Sequence, residues 1–157
     1  MRRVIVEDTR QQAGKHGAKH EWWSGNGFTL VRSKLAFGDY CLCPNAAVDT
    51  KASIVELAQD VERDHDRFRR ELEGARDAGC KLYVLVENDE GVGSLDELER
   101  WVEGNKSFNR RRAKRRIYGK RIAKACRTME ERYGATFLFC APEESARIVT
   151  ELLTEGG

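Results

Sequence analysis

Two runs of almost unbroken apolar residues constrain this chain most, Leu82-Tyr83-Val84-Leu85-Val86 and Phe137-Leu138-Phe139-Cys140. A strand that is apolar on both faces must be covered on both, as central strands are when helices flank a sheet. Helix patterns stand around them. Ser53 and Glu56 have the spacing of a capping box, and Ile54, Leu57, Ala58, Val61, His65, Phe68, Leu72 and Ala75 recur at steps of three or four. That periodicity predicts one long helix with its exit at Gly79. Ser94 and Glu97 repeat the box before a short helix ending near Gly104. A helix from about Ile117 to Tyr133 closes on Gly134, and Pro142 opens a last one running to about Leu153. Upstream, Val4-Ile5-Val6 and Phe28-Thr29-Leu30-Val31-Arg32 read as strands, and residues 11–21 as a polar loop. Leu35 to Cys43 and Ala47 to Lys51 read as two strands turning at Pro44-Asn45-Ala46. Strands first, then helix and strand in alternation, predict an α/β domain with a central mixed sheet flanked by helices. The 157 residues, 40% of them hydrophobic, suit a single domain over 1–157.

Charge is segregated. The chain carries a net +2, yet Lys106 to Arg127 holds eleven Lys/Arg and no Asp/Glu, leaving 17 basic residues against 26 acidic ones elsewhere. A basic segment on an acidic body points to a polyanion partner. The stretch Asn109-Arg110-Arg111-Arg112-Ala113-Lys114-Arg115-Arg116 has no place in a core, and contact with nucleic-acid phosphate is its expected use; Lys120, Arg121 and Lys124 extend the track. Five cysteines in no zinc-type spacing read as reduced core side chains. With no membrane-length apolar run and no secretory leader at Met1-Arg2-Arg3, a cytoplasmic protein with no membrane partner is expected.

The hairpin carries the chemistry. A three-residue loop at Pro44-Asn45-Ala46 would set 43 opposite 47, 41 opposite 49 and 39 opposite 51. Alternate side chains share a face, so Asp39, Asp49 and Lys51 would stand together; a slip of one residue would separate them. Two carboxylates can hold Mg²⁺ with waters still bound, and a lysine beside them can offset charge on a phosphate. That equipment suits phosphodiester hydrolysis, although an acid-x-Lys triplet by itself is common.

Further motifs carry a family resemblance. Val6-Glu7-Asp8-Thr9-Arg10-Gln11, Phe37-Gly38-Asp39-Tyr40, Val48-Asp49-Thr50-Lys51 and Asp64-His65-Asp66-Arg67-Phe68 occur in that order, followed by Leu82 to Glu87 and Met129-Glu130-Glu131-Arg132-Tyr133-Gly134. Together they resemble the nuclease domain of XPF-type structure-specific endonucleases within the PD-(D/E)XK superfamily, and more closely its compact phage- and prophage-type members. The resemblance implies a PD-(D/E)XK restriction-endonuclease-like fold and Mg²⁺- or Mn²⁺-dependent cleavage of branched, flap or junction DNA in repair or recombination, by a homodimer. It implies that Asp39 and Asp49 bind metal, that Lys51 is the catalytic lysine, and that Asp8 adds a further acid at the metal. Arg10, Lys15 and Arg67 would face substrate DNA with the basic segment. Three positions depart from the family pattern: Gln11 and Asp49 stand where it has Glu, and Thr50 where it has Arg. The alternative is an XPF-like DNA-binding module or partner subunit that does not cleave.

Other residues read more plainly. Glu56 is expected to serve the helix cap rather than a metal, and His65, on the apolar stripe, to be partly buried. His16 and His20 are expected in a polar loop or exposed turn, and Trp22 and Trp23 to pack under that segment rather than stack on a base.

Overall fold

The computed structural model describes residues 3–41, 46–104 and 116–155. Six strands form one sheet: β1 (Arg3–Asp8), β2 (Phe28–Ser33), β3 (Tyr40–Cys41), β4 (Ala46–Lys51), β5 (Lys81–Glu87) and β6 (Thr136–Cys140), in the order β2-β1-β3-β4-β5-β6. β3 is antiparallel to β1 and β4, and the remaining neighbours are parallel. Helices α1 (Gly17–Gly25), α2 (Ile54–Glu62), α3 (His65–Asp77), α4 (Leu95–Glu99), α5 (Gly119–Tyr133) and α6 (Ser145–Glu155) connect and cover it. The expected mixed sheet flanked by helices is the observed architecture.

Two cores lie on the two faces. Ala47, Val84, Val86 and Phe137 meet Leu57, Val61, Phe68, Leu72, Ile122 and Cys126 from α2, α3 and α5. Ile5, Tyr40, Val48 and Leu85 meet Trp23 of α1 and Val149 and Leu153 of α6. Both serine caps form, Ser53 Oγ accepting the Glu56 N–H at 3.1 Å and Ser94 Oγ that of Glu97 at 3.1 Å, while each Glu carboxylate accepts from the residue before the serine, Ala52 and Gly93, rather than from the serine itself. Gly134 closes α5 at a positive φ of 68°. The buried cysteines at 126 and 140 are free thiols, and Cys43 lies outside the described residues. No helix among the described residues is long and apolar enough to cross a membrane.

Five expectations are corrected. Residues 17–25 form α1 rather than loop; it has little apolar periodicity, and burial of Trp23 and Lys19 holds it to the sheet. The single long helix is two, because at the end of α2 the Arg63 and Asp64 N–H groups both donate to the Gln59 carbonyl. His65 opens α3 exposed, not on the buried stripe. α5 starts at Gly119 rather than Ile117: Glu103 and Ile117 are hydrogen-bonded through their backbones, and a Cβ on Gly119 would lie 1.7 Å from the Leu98 carbonyl oxygen. Among the described residues the strand expected over 35–43 covers only Tyr40–Cys41, with 42 and 43 outside them, and its register moves by two residues, with Cys41 opposite Ala47 and Tyr40 opposite Val48.

Candidate active site

A shift of two residues keeps side-chain parity, so Asp49 and Lys51 remain on the face covered by α2 and α3. Asp39 arrives by a different route. Its N–H donates to the Val48 carbonyl at 2.8 Å beside the Tyr40–Val48 pair, so two residues face one, as at a bulge. Gly38 makes this possible with a φ of 75°, and a Cβ there would sit 3.1 Å from that of Ala47. The bulge turns the Asp39 carboxylate onto Thr50, whose N–H and hydroxyl both donate to Oδ2, at 2.6 and 3.0 Å. Asp39, Asp49 and Lys51 all line one cavity of about 330 Å³ at this end of the sheet.

The cavity is rich in acids. Lys51 Nζ lies 2.7 Å from Asp49 Oδ2, touches Asp60 Oδ2, and stands 5.0 Å above the centre of the Phe68 ring. Burial alone would lower the pKa of this lysine, but Asp49 and Asp60 outweigh it and raise it above its ordinary value. Asp39 is pushed up to about 8, first by burial and then by the Asp49 charge, against the Thr50 and Gln11 hydrogen bonds and Lys51. Glu71, which accepts the Gly38 N–H at 2.8 Å, is raised for the same first two reasons.

Other expected site residues fall as follows. Asp8 is buried in the cavity wall with both oxygens engaged: Oδ2 pairs with Arg10, and Oδ1 accepts the Leu35 N–H at 3.1 Å. Arg10 and Lys15 line the cavity, and Arg10 is largely exposed. Arg67 also lines it, donating to Asp60 Oδ1 at 3.1 Å. Arg116 donates to the Glu103 carbonyl at 2.8 Å, and Lys120 is exposed on the first turn of α5. Arg110, Arg111, Arg112, Lys114 and Arg115 lie outside the described residues. Glu56 accepts the Ala52 N–H at 2.7 Å, the capping role expected of it. His20 pairs with Glu7 at 2.7 Å, whereas His16 lines the cavity, so the two do not form a joint site. Trp23 is fully buried, donating to Thr150 Oγ1 at 2.9 Å. Sequence reasoning missed Asp60 and Glu71; both lie on helices whose polar positions carry no strand-like alternation to mark them.

Among the described residues no three His, Cys, Asp or Glu side chains already converge as metal ligands. The donor set nonetheless fits a divalent cation. Asp49 Oδ2 is buried and, despite its ion pair with Lys51, accepts no well-aligned hydrogen bond. Its charge also raises the pKa of Asp39, a repulsion that a hard cation held by both carboxylates would relieve.

The six-stranded mixed sheet with helices on both faces is an XPF-like fold. Two solved structures share it with this chain: XPF from Aeropyrum pernix, at a TM-score of 0.65, 15% identity and 97% of this chain, and the same protein in complex with DNA, at 0.66, 15% and 98%. This chain spans 60% and 64% of those two chains. No protein-family model matches the chain, and no curated protein does.

Proposed function

We propose that this protein is a metal-dependent DNA endonuclease that hydrolyses phosphodiester bonds, with branched, flap or junction DNA as substrate and a homodimer as the working form. The observation that carries the reading is the pairing of Asp39 and Asp49, one half-buried and one buried carboxylate lining one cavity, with an ammonium between Asp49 and Asp60. When bound, Mg²⁺ or Mn²⁺ supplies a lowered pKa for water and charge stabilisation at the phosphate. Asp39 and Asp49 hold that ion. Lys51, kept charged by its two acids, acts on the phosphate as a fixed positive charge rather than as a base. Arg10, steered by Asp8, together with Lys15 and Arg67, grips the phosphates either side of the cut. The basic segment through Arg116 and Lys120 adds grip without reading sequence.

The test is cleavage of labelled duplex, flap and four-way-junction DNA with and without Mg²⁺, with Asp49→Asn as the control. Mg²⁺-dependent cutting that is lost in the variant supports the reading. Binding of DNA with no cleavage of any substrate would make the chain a DNA-binding module instead. Absence of DNA binding even at low salt would point to an acidic protein partner for the basic segment.

A further inference from the structure

Asp60 is buried within the last turns of α2, where an isolated carboxylate is costly, and it is matched by two cations. Oδ2 meets Lys51 Nζ, and Oδ1 accepts from Arg67 Nη2 at 3.1 Å. Lys51 in turn touches Asp49. The charges alternate, Asp49–Lys51–Asp60–Arg67, from the strand to the cavity mouth.

Lys51 therefore has two acids competing for one ammonium, and they are not equivalent. Asp49 lies two residues from Lys51 on the same strand and is also wanted by a cation. Asp60 comes from another element and belongs to neither. The break between α2 and α3 matters here: it lets Arg67, seven residues on, turn back to Asp60.

We propose that Asp60 is a positioning residue, which anchors Lys51 independently of Asp49 and so frees the Asp49 carboxylate to hold a divalent cation. The proposal rests on the reading of Asp39 and Asp49 as a cation site. Without Asp60, the ammonium closes onto Asp49 and competes with the cation there. Asp60 touches neither substrate nor cation itself. It also holds Arg67 at the cavity mouth, tying the position of the lysine to that of a phosphate-facing arginine.

Two readouts test this, one of them free of metal. In ¹H–¹⁵N spectra of the metal-free protein, a buried, anchored lysine ammonium exchanges slowly enough to give its own cross-peak, assigned by its loss in Lys51→Met. Asp49→Asn is expected to keep that peak and Asp60→Asn to lose it; the reverse pattern overturns the proposal. Should Asp60→Asn not fold, Asp49→Asn decides: persistence of the peak supports the anchor, and loss overturns it. Calorimetric titration with Mn²⁺ alone is the second readout. Asp60→Asn is expected to weaken Mn²⁺ binding about tenfold, the scale seen when a partner of a metal-binding side chain is removed. Asp60→Glu is expected to restore most of it. Made in a Lys51→Met background, Asp60→Asn should change Mn²⁺ affinity less than about twofold, because the effect runs through the lysine. A tenfold loss persisting there would overturn the proposal by making Asp60 a direct contributor to the cation. If the unaltered protein binds no Mn²⁺, the cation site fails, and the cross-peak still decides whether Asp60 anchors Lys51.

Discussion

Two clusters of charge lie on opposite faces of the same sheet, meeting where Glu87 also lines the cavity, and they are built differently. On the α1 side, Glu7 is met by His20 at 2.7 Å and Arg32 at 3.2 Å, and Glu87 by Lys19 at 2.9 Å. On the α2–α3 side, Asp39, Asp49, Asp60 and Glu71 crowd around one buried ammonium. Matched charges hold a fold in one arrangement, and breaking a buried pair such as Lys19–Glu87 is costly. An excess of one sign, with an oxygen lacking an aligned donor and a carboxyl pushed far from its ordinary pKa, is strain that a folding role alone does not account for. The contrast separates acids that serve the fold from acids that the proposed reaction would use.

The sharpest way to break that contrast is to remove a partner on the matched side. Glu87→Ala strands Lys19, which is only 8% exposed, and is expected to cost about 3–5 kcal/mol in urea denaturation. A loss under about 1 kcal/mol would mean that the matched cluster is not structural either. On the other side, Asp49→Asn, which removes one acid from the excess and leaves Lys51 paired with Asp60, is expected to leave folding largely intact while lowering the cleavage rate about 10²- to 10³-fold, the scale for losing one preorganised charge at a reacting group. Equal damage to stability and rate would merge the two clusters into one kind.

The two clusters were unequally legible in the sequence. Asp49 and Lys51 are legible because a period of two survives a register shift of two residues, whereas Asp39 reaches the cavity through the bulge. Gly38 was visible as a residue, but the bulge it permits was not, since a bulge is a property of how two strands meet. Asp60 and Glu71 were invisible for a related reason: each is an ordinary acid on an amphipathic helix until packing brings it to the strand ends. The α2–α3 break is masked because Val61 and Phe68 stand seven residues apart, so that His65 between them keeps the spacing of one helical stripe, while the break itself lies in the backbone at Gln59 to Asp64. The matched cluster escaped notice with α1 itself, a helix without an apolar stripe whose hold is Trp23 and a buried ion pair.

A smaller effect follows from acidity. Asp39, raised from 3.8 to about 8 in the fold, keeps a proton that the unfolded chain releases. Its contribution to stability is complete below the ordinary value and is lost as pH rises through about 8. In the absence of divalent cation, the urea midpoint should therefore fall between about pH 4 and 8. Asp49→Asn removes the second cause of the shift and leaves burial, so its decline should be shallower. A decline in the unaltered protein no steeper than in the variant would remove the charge conflict from the α2–α3 side, and with it the main difference between the clusters.

The smallest expected effect concerns a charge belonging to neither cluster. Lys120 is exposed on α5, where solvent already satisfies its ammonium, so Lys120→Ala should leave stability within about 0.5 kcal/mol. Its proposed work is electrostatic and shared with the basic segment before it. Each phosphate contact releases a condensed counterion, so log affinity for duplex DNA falls with log salt by about 0.9 per contact. Removing one contact should flatten that slope by about 1 and weaken binding to all duplex sequences alike. The measurement is a fluorescence-anisotropy titration at several salt concentrations, with Glu87→Ala and Asp49→Asn in parallel. The matched-cluster variant should keep the slope while losing stability, and the cavity variant should keep both while losing cleavage. Lys120→Ala alone should change the slope. An unchanged slope would take α5 out of the DNA path and leave the phosphate grip to the arginines at the cavity mouth.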